Sequence, residues 1–228
     1  MRIVFFTGAG ISAESGLRTF RDSDGLWEQY QVTDVATPDA WARDPALVLR
    51  FYGQRHAQTL AARPNPAHAA IAALEQDLDV TVVTQNIDDL HERAGSSRVL
   101  HLHGEIRKAR STRDPRLVQP ITGPYPALGD RCPLGSQLRP HIVWFGEDVP
   151  LLSEAADIVS RADLLVVVGS SLQVYPAAGL VHATRAGTPV HLVDPGPVEL
   201  TMSGVTHWKE KASQGIPKLA DLLRKRYA

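Results

Sequence analysis

MRIVFFTGAGISAESGLRTFRDSDGLW, residues 1–27, is the stretch on which the fold turns. Ile3-Val4-Phe5-Phe6 is a continuous apolar run that stops at Thr7 and passes straight into Gly8-Ala9-Gly10. A strand covered on both faces reads this way, and its carboxyl end delivers the chain to a ligand crevice. Gly8 and Gly10 would let backbone N–H groups approach an anion, and a helix beginning near Ile11 would add its positive end. A tight strand-to-helix turn also uses glycine for packing alone, so the turn by itself leaves both readings open. Two familiar continuations are missing. No Lys-Ser/Thr pair follows, as a P-loop requires. The next glycine, Gly16, comes too late for G-x-G-x-x-G, and no acidic residue ends a second strand about 20 residues on. Arg18-Thr19-Phe20-Arg21 follows instead, a polar and aromatic loop suited to covering a bound cofactor.

The same strand type recurs at 80–84, 164–169 and 190–193, each rich in β-branched residues. Helical patterns fit 44–62, 67–76, 152–162, 177–186 and 214–224, with Asn65-Pro66 as a start signal for the second. Such alternation predicts an α/β fold, a Rossmann-like doubly wound parallel sheet. Two stretches break the rhythm. Residues 25–75 read as helical with no strand between, and 105–140 as a Pro- and Gly-containing segment of weak periodicity. Both are expected to be insertions that build a smaller lobe within one domain of 228 residues. The large lobe would take about 1–24, 75–104 and 142–228, and the small lobe about 25–74 and 105–141.

A net charge of −1 gives no global field toward nucleic acid or an anionic membrane. Arg224, Lys225 and Arg226 read as a solvated helix end. No window approaches the ~20 apolar residues of a membrane span, and the opening core strand argues against a signal peptide. One cysteine, Cys132, excludes an internal disulfide and a four-cysteine zinc site. These features predict a soluble cytoplasmic protein.

Two further strand ends carry polar chemistry. Val82-Val83-Thr84 runs into Gln85-Asn86-Ile87-Asp88-Asp89, and amides and carboxylates after a buried strand are costly unless hydrogen-bonded or used on a ligand. Asp88 could equally be a helix cap. The third apolar run ends in Gly169-Ser170-Ser171. Three such ends in one sheet say more than any one. His101-Leu102-His103-Gly104 admits three readings: a metal pair, a core histidine satisfied by backbone, or a general base.

Together these residues resemble one family. Gly8-Ala9-Gly10-Ile11-Ser12, Thr19-Phe20-Arg21, Gln85-Asn86-Ile87-Asp88, His103-Gly104, Val143-Trp144-Phe145-Gly146-Glu147 and Gly169-Ser170-Ser171 occur in the order seen in sirtuins, NAD-dependent protein-lysine deacylases. The resemblance runs from the first strand to Gln214-Gly215-Ile216-Pro217, and is closest to short bacterial desuccinylases and demalonylases. It implies that NAD is consumed, so that no hydride-transfer fingerprint is needed. Phe20 and Arg21 would lie in a loop closing over the nicotinamide ribose, and Asn86 and Asp88 would position the nicotinamide carboxamide and ribose. Cofactor contacts would also come from Ser12, Glu14, Thr19, Trp27, Gln85, Ile87, Val174 and Gly169 to Ser171. Val143 to Glu147 would pair with the substrate peptide as an added strand. In the implied chemistry the acyl oxygen attacks the ribose carbon as nicotinamide leaves, and His103 takes a proton from the ribose hydroxyls. The products would be lysine, nicotinamide and O-acyl-ADP-ribose.

Tyr52 and Arg55 share a helix face; an Arg fork beside a phenol suits a carboxylate, and a surface Arg beside a half-buried Tyr is the plainer reading of the residues alone. The family resemblance makes them the mark of succinyl- and malonyl-accepting members, with Ala36 the small residue of their wider acyl pocket. Two departures stand out. The interval between His103 and Phe145 holds only Cys132, with Ser111 where a first cysteine of the family's two Cys-x-x-Cys pairs is expected. No zinc is expected, and packing of Leu117, Val118, Ile121, Tyr125 and Leu138 would hold the lobe. Asp194, in Asp194-Pro195-Gly196, stands where many members have Asn for the adenosine half, and Ala212 would line the adenine pocket. The resemblance thus implies an enzyme acting as a monomer on acyl-lysine proteins, not on nucleic acid or membranes. An ADP-ribosyltransferase, an NAD hydrolase and a non-catalytic NAD-binding module are the alternatives.

Overall fold

The computed structural model describes residues 1–17, 26–27, 30–197, 202 and 204–227, with the backbone alone at 26–27. β1 (Arg2–Thr7) leads into a short α1 (Gly10–Ala13). β2 (Leu26–Trp27) and β3 (Tyr30–Gln31) pair antiparallel, before α2 (Val32–Val35), α3 (Pro38–Arg43), α4 (Pro45–Ala61) and α5 (Pro66–Leu74). Next come β4 (Asp79–Thr84), α6 (Leu90–Ala94) and β5 (Val99–His101), then β6 (Gly104–Ser111), β7 (Val118–Pro120) and β8 (Leu138–Ile142). α7 (Leu152–Ser160), β9 (Leu164–Val168), a 3-10 helix at Ala177–Ala183, β10 (Val190–Val193), β11 (Val205–Trp208) and α8 (Ala212–Tyr227) close the chain.

Among the described residues, six strands form a sheet in the order β11-β10-β9-β1-β4-β5, and every pairing in it is parallel. β1 sits between β4 and β9, with Ile3 registered against both Val80 and Leu164. The α/β, Rossmann-like expectation holds. Period-two geometry sorts the apolar run between two cores. Ile3 and Phe5 pack with Ile71 of α5 and Ile216 and Leu219 of α8. Val4 and Phe6 pack on the other face with Val159 of α7 and Leu180 and Val181 of the 3-10 helix. The chain leaves β1 first toward β4 and later toward β9, so strand order reverses beside β1, where open α/β sheets bind ligands.

Helix starts follow their capping chemistry. Asp44 caps α4 by accepting from the Leu47 N–H at 2.8 Å. Asn65 caps α5 by accepting from the Ala67 N–H, with Pro66 at the first position. The Asn65 amide also donates to the Ile11 carbonyl at 2.7 Å, fastening α5 to the glycine turn.

Four expectations need correction. Residues 25–75 are not free of strands, because β2 and β3 form a hairpin there too short to leave a periodic signal. No strand is expected from the sequence within residues 105–140, where β7, β6 and β8 form a three-stranded antiparallel sheet. Its strands hide in the sequence because Arg107, Lys108, Arg110 and Arg139 interrupt the apolar pattern. Leu117 and Val118 do not hold this lobe, since both are exposed, whereas Leu138 and Ile121 do pack, around Ala109 and Cys132. Tyr125 belongs instead to a second small-lobe core, in which α2–α4 meet β6 and β8 through Val48, Phe51, Ile106 and Ile142. Finally, the helix expected at 177–186 is a 3-10 helix, Ala177–Ala183.

Candidate active site

The glycine turn closes on the end of β9. Gly8 N–H donates to the Val168 carbonyl at 2.9 Å and Gly10 N–H to the Gly169 carbonyl at 2.8 Å. A Cβ on either glycine would strike the Gly169 backbone. These glycines therefore serve close approach of two strand ends, and their own N–H groups are occupied rather than presented to an anion. Gly169 itself has φ +59° and no room for a Cβ beside Ile11 N. α1, at four residues, offers little of a helix dipole.

The β4 end is tied to that turn. Asn86 Nδ2 donates to the Gly8 carbonyl at 3.1 Å and to Ser12 Oγ at 3.2 Å, and Ser12 Oγ donates to Asp88 Oδ2 at 3.0 Å. Asp88 Oδ1 also accepts from the Leu90 N–H, so the capping reading of Asp88 holds as well. Burial raises the Asp88 pKa above the usual carboxyl value; the Leu90 and Ser12 hydrogen bonds and the His101 charge oppose the rise. Gln85 Nε2 donates to Ser170 Oγ at 3.0 Å, joining the β4 and β9 ends.

His103 follows β5. Its Nδ1 is 3.0 Å from the Gln85 carbonyl, which can only accept, so Nδ1 carries the proton and Nε2 is the basic nitrogen. Burial lowers its pKa below 6.5 against the opposing Gln85 hydrogen bond, keeping the free ring neutral near pH 7. Gly104, at φ +82°, lies so close to the His141 carbonyl that only glycine fits, which lets β6 turn away directly after the histidine.

A cleft of about 680 Å³ opens over these strand ends. Gly8, Ala9, Gly10, Ser12 and Glu14 line it from the β1 side, and Gln85, Asn86, Ile87, Asp88 and His103 from the β4 and β5 side. Gly169, Ser170, Ser171, Val174, Asp194, Pro195 and Ala212 extend it toward β10 and α8, while Ala36, Tyr52, Arg55 and Val143 to Glu147 wall it from the small lobe. Some of these are also engaged within the protein. Glu14 accepts from Ser213 N and Oγ, and Asp194 Oδ1 accepts from Gly196 N. Gly196 itself is not in the lining. Thr19, Phe20, Arg21 and the Trp27 side chain lie outside the described residues. The sequence reading missed Leu17, Val149, Tyr175 and Lys211, which line the cleft as well. None sits in a patterned stretch, and only adjacency to Ala212 pointed toward Lys211.

On the small-lobe wall, Tyr52 is fully buried and Arg55 nearly so. Burial lifts the Tyr52 phenol well above its usual pKa, outweighing the Trp144 hydrogen bond and the Arg139 and Arg55 charges that lower it. Arg55 Nη1 donates to Gln58 Oε1 at 3.2 Å. Glu147 receives Arg139 at 2.7 Å, Arg110 at 3.2 Å and the Trp144 N–H at 2.9 Å. Arg139 lies 3.4 Å over the Trp144 ring. Glu147 thus clamps the segment it ends. Val143 N–H donates to the His103 carbonyl and Phe145 N–H to the Ala36 carbonyl, seating the segment between the lobes.

A model of the Sir2 family matches residues 8–176. The chain belongs to the Sir2 family. An NAD-dependent protein deacylase of Bacteroides thetaiotaomicron is 50% identical over 227 residues, covering 97% of each chain. Another from Helicobacter pylori is 53% identical over 193 residues, 85% of this chain and 84% of the relative. Among solved structures, a Sir2 homologue in complex with NAD superposes with TM-score 0.90 at 39% identity, covering all of this chain and 91% of the other. A Sir2 protein bound to a deacetylated peptide and 3′-O-acetyl-ADP-ribose superposes with TM-score 0.81 at 33% identity, covering 98% and 92%. Sir2 membership and the sequence resemblance agree.

Among the described residues no three His, Cys, Asp or Glu side chains converge as metal ligands. Where the family's cysteine pairs are expected, Cys132 Sγ lies 3.3 Å from Ser111 Oγ and 3.1 Å from Ser136 Oγ, and the two hydroxyls are 2.9 Å apart. Ser111 Oγ also accepts from the Arg113 and Asp114 N–H groups.

Proposed function

We propose that this chain is an NAD-dependent protein-lysine deacylase whose acyl pocket suits succinyl and malonyl groups as well as acetyl. The cleft fits NAD in size and chemistry: 680 Å³ is ample for a dinucleotide, one end is small residues and hydroxyls, the other a carboxamide, a carboxylate and an imidazole. Bound NAD supplies a nicotinamide leaving group and a ribose carbon open to attack. Around it, Asn86 and Asp88 orient the nicotinamide end, and His103 Nε2 accepts a proton from the ribose hydroxyls. Its lowered pKa keeps that nitrogen unprotonated at neutral pH, and a placed base is worth roughly 10²–10⁴-fold. Holding acyl-lysine and ribose together supplies much of the rest. Val143 to Phe145 hold the peptide backbone.

The observation that carries the acyl preference is the placement of Tyr52 and Arg55, both buried, in the wall of the cleft that holds His103. A guanidinium fork beside a phenol in a cleft wall suits bidentate binding of a carboxylate, which a succinyl or malonyl group carries. The small lobe needs no zinc in this reading: the Ser111, Cys132 and Ser136 hydrogen bonds tie the ends that metal would otherwise join. We place the enzyme in the cytoplasm, acting as a monomer on acyl-lysine proteins.

Turnover of succinyl-, malonyl- and acetyl-lysine peptides with NAD, side by side, tests this. The expected products are nicotinamide, free lysine and O-acyl-ADP-ribose, with the acidic acyl groups favoured. Free ADP-ribose or ADP-ribosylated protein as the main product would refute deacylation, and acetyl-only turnover would refute the pocket.

A further inference from the structure

Asn86 is held from three sides. Its side chain is taken by Gly8 and Ser12, as above. Its N–H donates to Thr84 Oγ1 at 3.0 Å. Its carbonyl is 2.9 Å from His101 Nδ1, and the other nitrogen of that ring, Nε2, is 2.7 Å from Glu92 Oε1.

Both partners of His101 are acceptors: a peptide carbonyl has no proton to give, and a carboxylate has none. A neutral imidazole has one N–H, so it can satisfy one partner and must turn a lone pair toward the other. Satisfying both requires two N–H groups. We infer that His101 is a buried imidazolium, paired with Glu92, that fixes the Asn86 carbonyl and so positions the Asn86 carboxamide in the cleft. The inference rests on the assignment of Asn86 to the nicotinamide end.

The surroundings agree. Burial disfavours the charged ring, but the Glu92 hydrogen bond and charge, the Asn86 carbonyl and the Glu105 charge outweigh it and raise the His101 pKa. The other titratable groups near it are Asp88, whose carboxylate it favours, and neutral His91 on α6. Asp89 does not compete for the ring, being occupied by Arg93 and Arg107. Two histidines, two residues apart, thus hold consecutive carbonyls, His103 that of Gln85 and His101 that of Asn86, in opposite protonation states. One acts as a base; the other cannot.

The consequence is a dependence on alkaline pH. Above the raised pKa of His101 the ring loses a proton, the Glu92 carboxylate keeps the remaining N–H on Nε2, and Nδ1 turns a lone pair to the Asn86 carbonyl, so Asn86 loses one of its three holds. The test is the pH profile of kcat/KM for NAD in the wild-type protein and Glu92→Gln, with NMR of the His101 ring in each. A glutamine amide can donate to an unprotonated Nε2 while Nδ1–H still serves Asn86, so neutral His101 suffices in that variant. The wild type is expected to show His101 protonated at pH 7 and an alkaline loss at the midpoint of its ring titration. Glu92→Gln is expected to lower the ring midpoint and remove that loss. His101→Ala should raise KM for NAD about tenfold, the scale of a charge-assisted hydrogen bond, and His101→Gln, which keeps an N–H donor, less. A neutral His101 ring at pH 7, or an unchanged alkaline limb in Glu92→Gln, overturns the inference. The ring titration reports whether or not Asn86 serves NAD, whereas full turnover by Asn86→Ala would refute that assignment alone.

Discussion

His103 Nδ1 donates to the Gln85 carbonyl at 3.0 Å, and that one contact fixes which ring nitrogen can take a proton. The imidazole after β5 is thus oriented by the backbone of the loop after β4. The two strands are neighbours in the sheet, with His101 registered against Thr84.

Replacing His103 by Asn removes the base while leaving a side chain of similar polarity. Deacylation is expected to fall by ~10²-fold or more, with NAD affinity within a fewfold of wild type by calorimetry. Unimpaired turnover would take His103 out of the mechanism. In the wild type, kcat/KM should fall on the acid side as His103 protonates, at a midpoint below pH 6.5, because burial depresses its pKa in the free protein.

Arg55→Met keeps length and apolar volume but deletes the cation. Desuccinylation should drop by about tenfold or more, as loss of a charged hydrogen bond implies, while deacetylation changes little. Matched losses for the two peptides would show that Arg55 supports the fold, not the acyl group.

Glu147 joins Arg139, Arg110 and the Trp144 N–H, so Glu147→Ala strands two cations. A loss on the order of 3 kcal/mol is expected by denaturant unfolding, since breaking such a pair leaves charge uncompensated. Burial alone would raise the Glu147 pKa, but its Arg139 and Trp144 hydrogen bonds outweigh that and lower it. Its contribution is present above the unfolded carboxyl value and is lost as pH falls through the lower folded one. A variant as stable as wild type would contradict the clamp.

His68 and His91 give the protein an acid limit. Both are fully buried, and burial lowers the pKa of His68 to about 4 and that of His91 well below 6.5. Below pH 6.5 the unfolded chain binds more protons than the folded one, so stability falls as pH drops and levels off only below the folded values. His68 alone accounts for about 3 kcal/mol across that window. His68→Gln should flatten the pH dependence of unfolding between pH 6.5 and 4; an unaltered slope would show that the ring is not buried neutral.

Much of this was legible in order along the chain. β1, β4, β9 and β10 are continuous apolar runs because each is buried on both faces, and that burial leaves a local signature. Polar residues directly after such runs, at Thr7-Gly8, Gln85-Asn86 and Gly169-Ser170, marked the crevice. β6 and β8 were not legible, because Arg110 and Arg139 answer to Glu147 in another segment, not to a local period.

Local chemistry, then, determined the sheet, its ligand-bearing edge and the residues that could act there, because hydrophobic period and turn residues are properties of neighbours in the chain. Only the tertiary structure decided what those residues do. Gly8 and Gly10 proved to face Gly169 rather than offer free N–H groups, and the surroundings of His101 and His103 shift their pKa values in opposite directions. A hydrogen-bond partner and a degree of burial are set by other segments of the chain, and these favour the charged ring at one position and the neutral ring at the other.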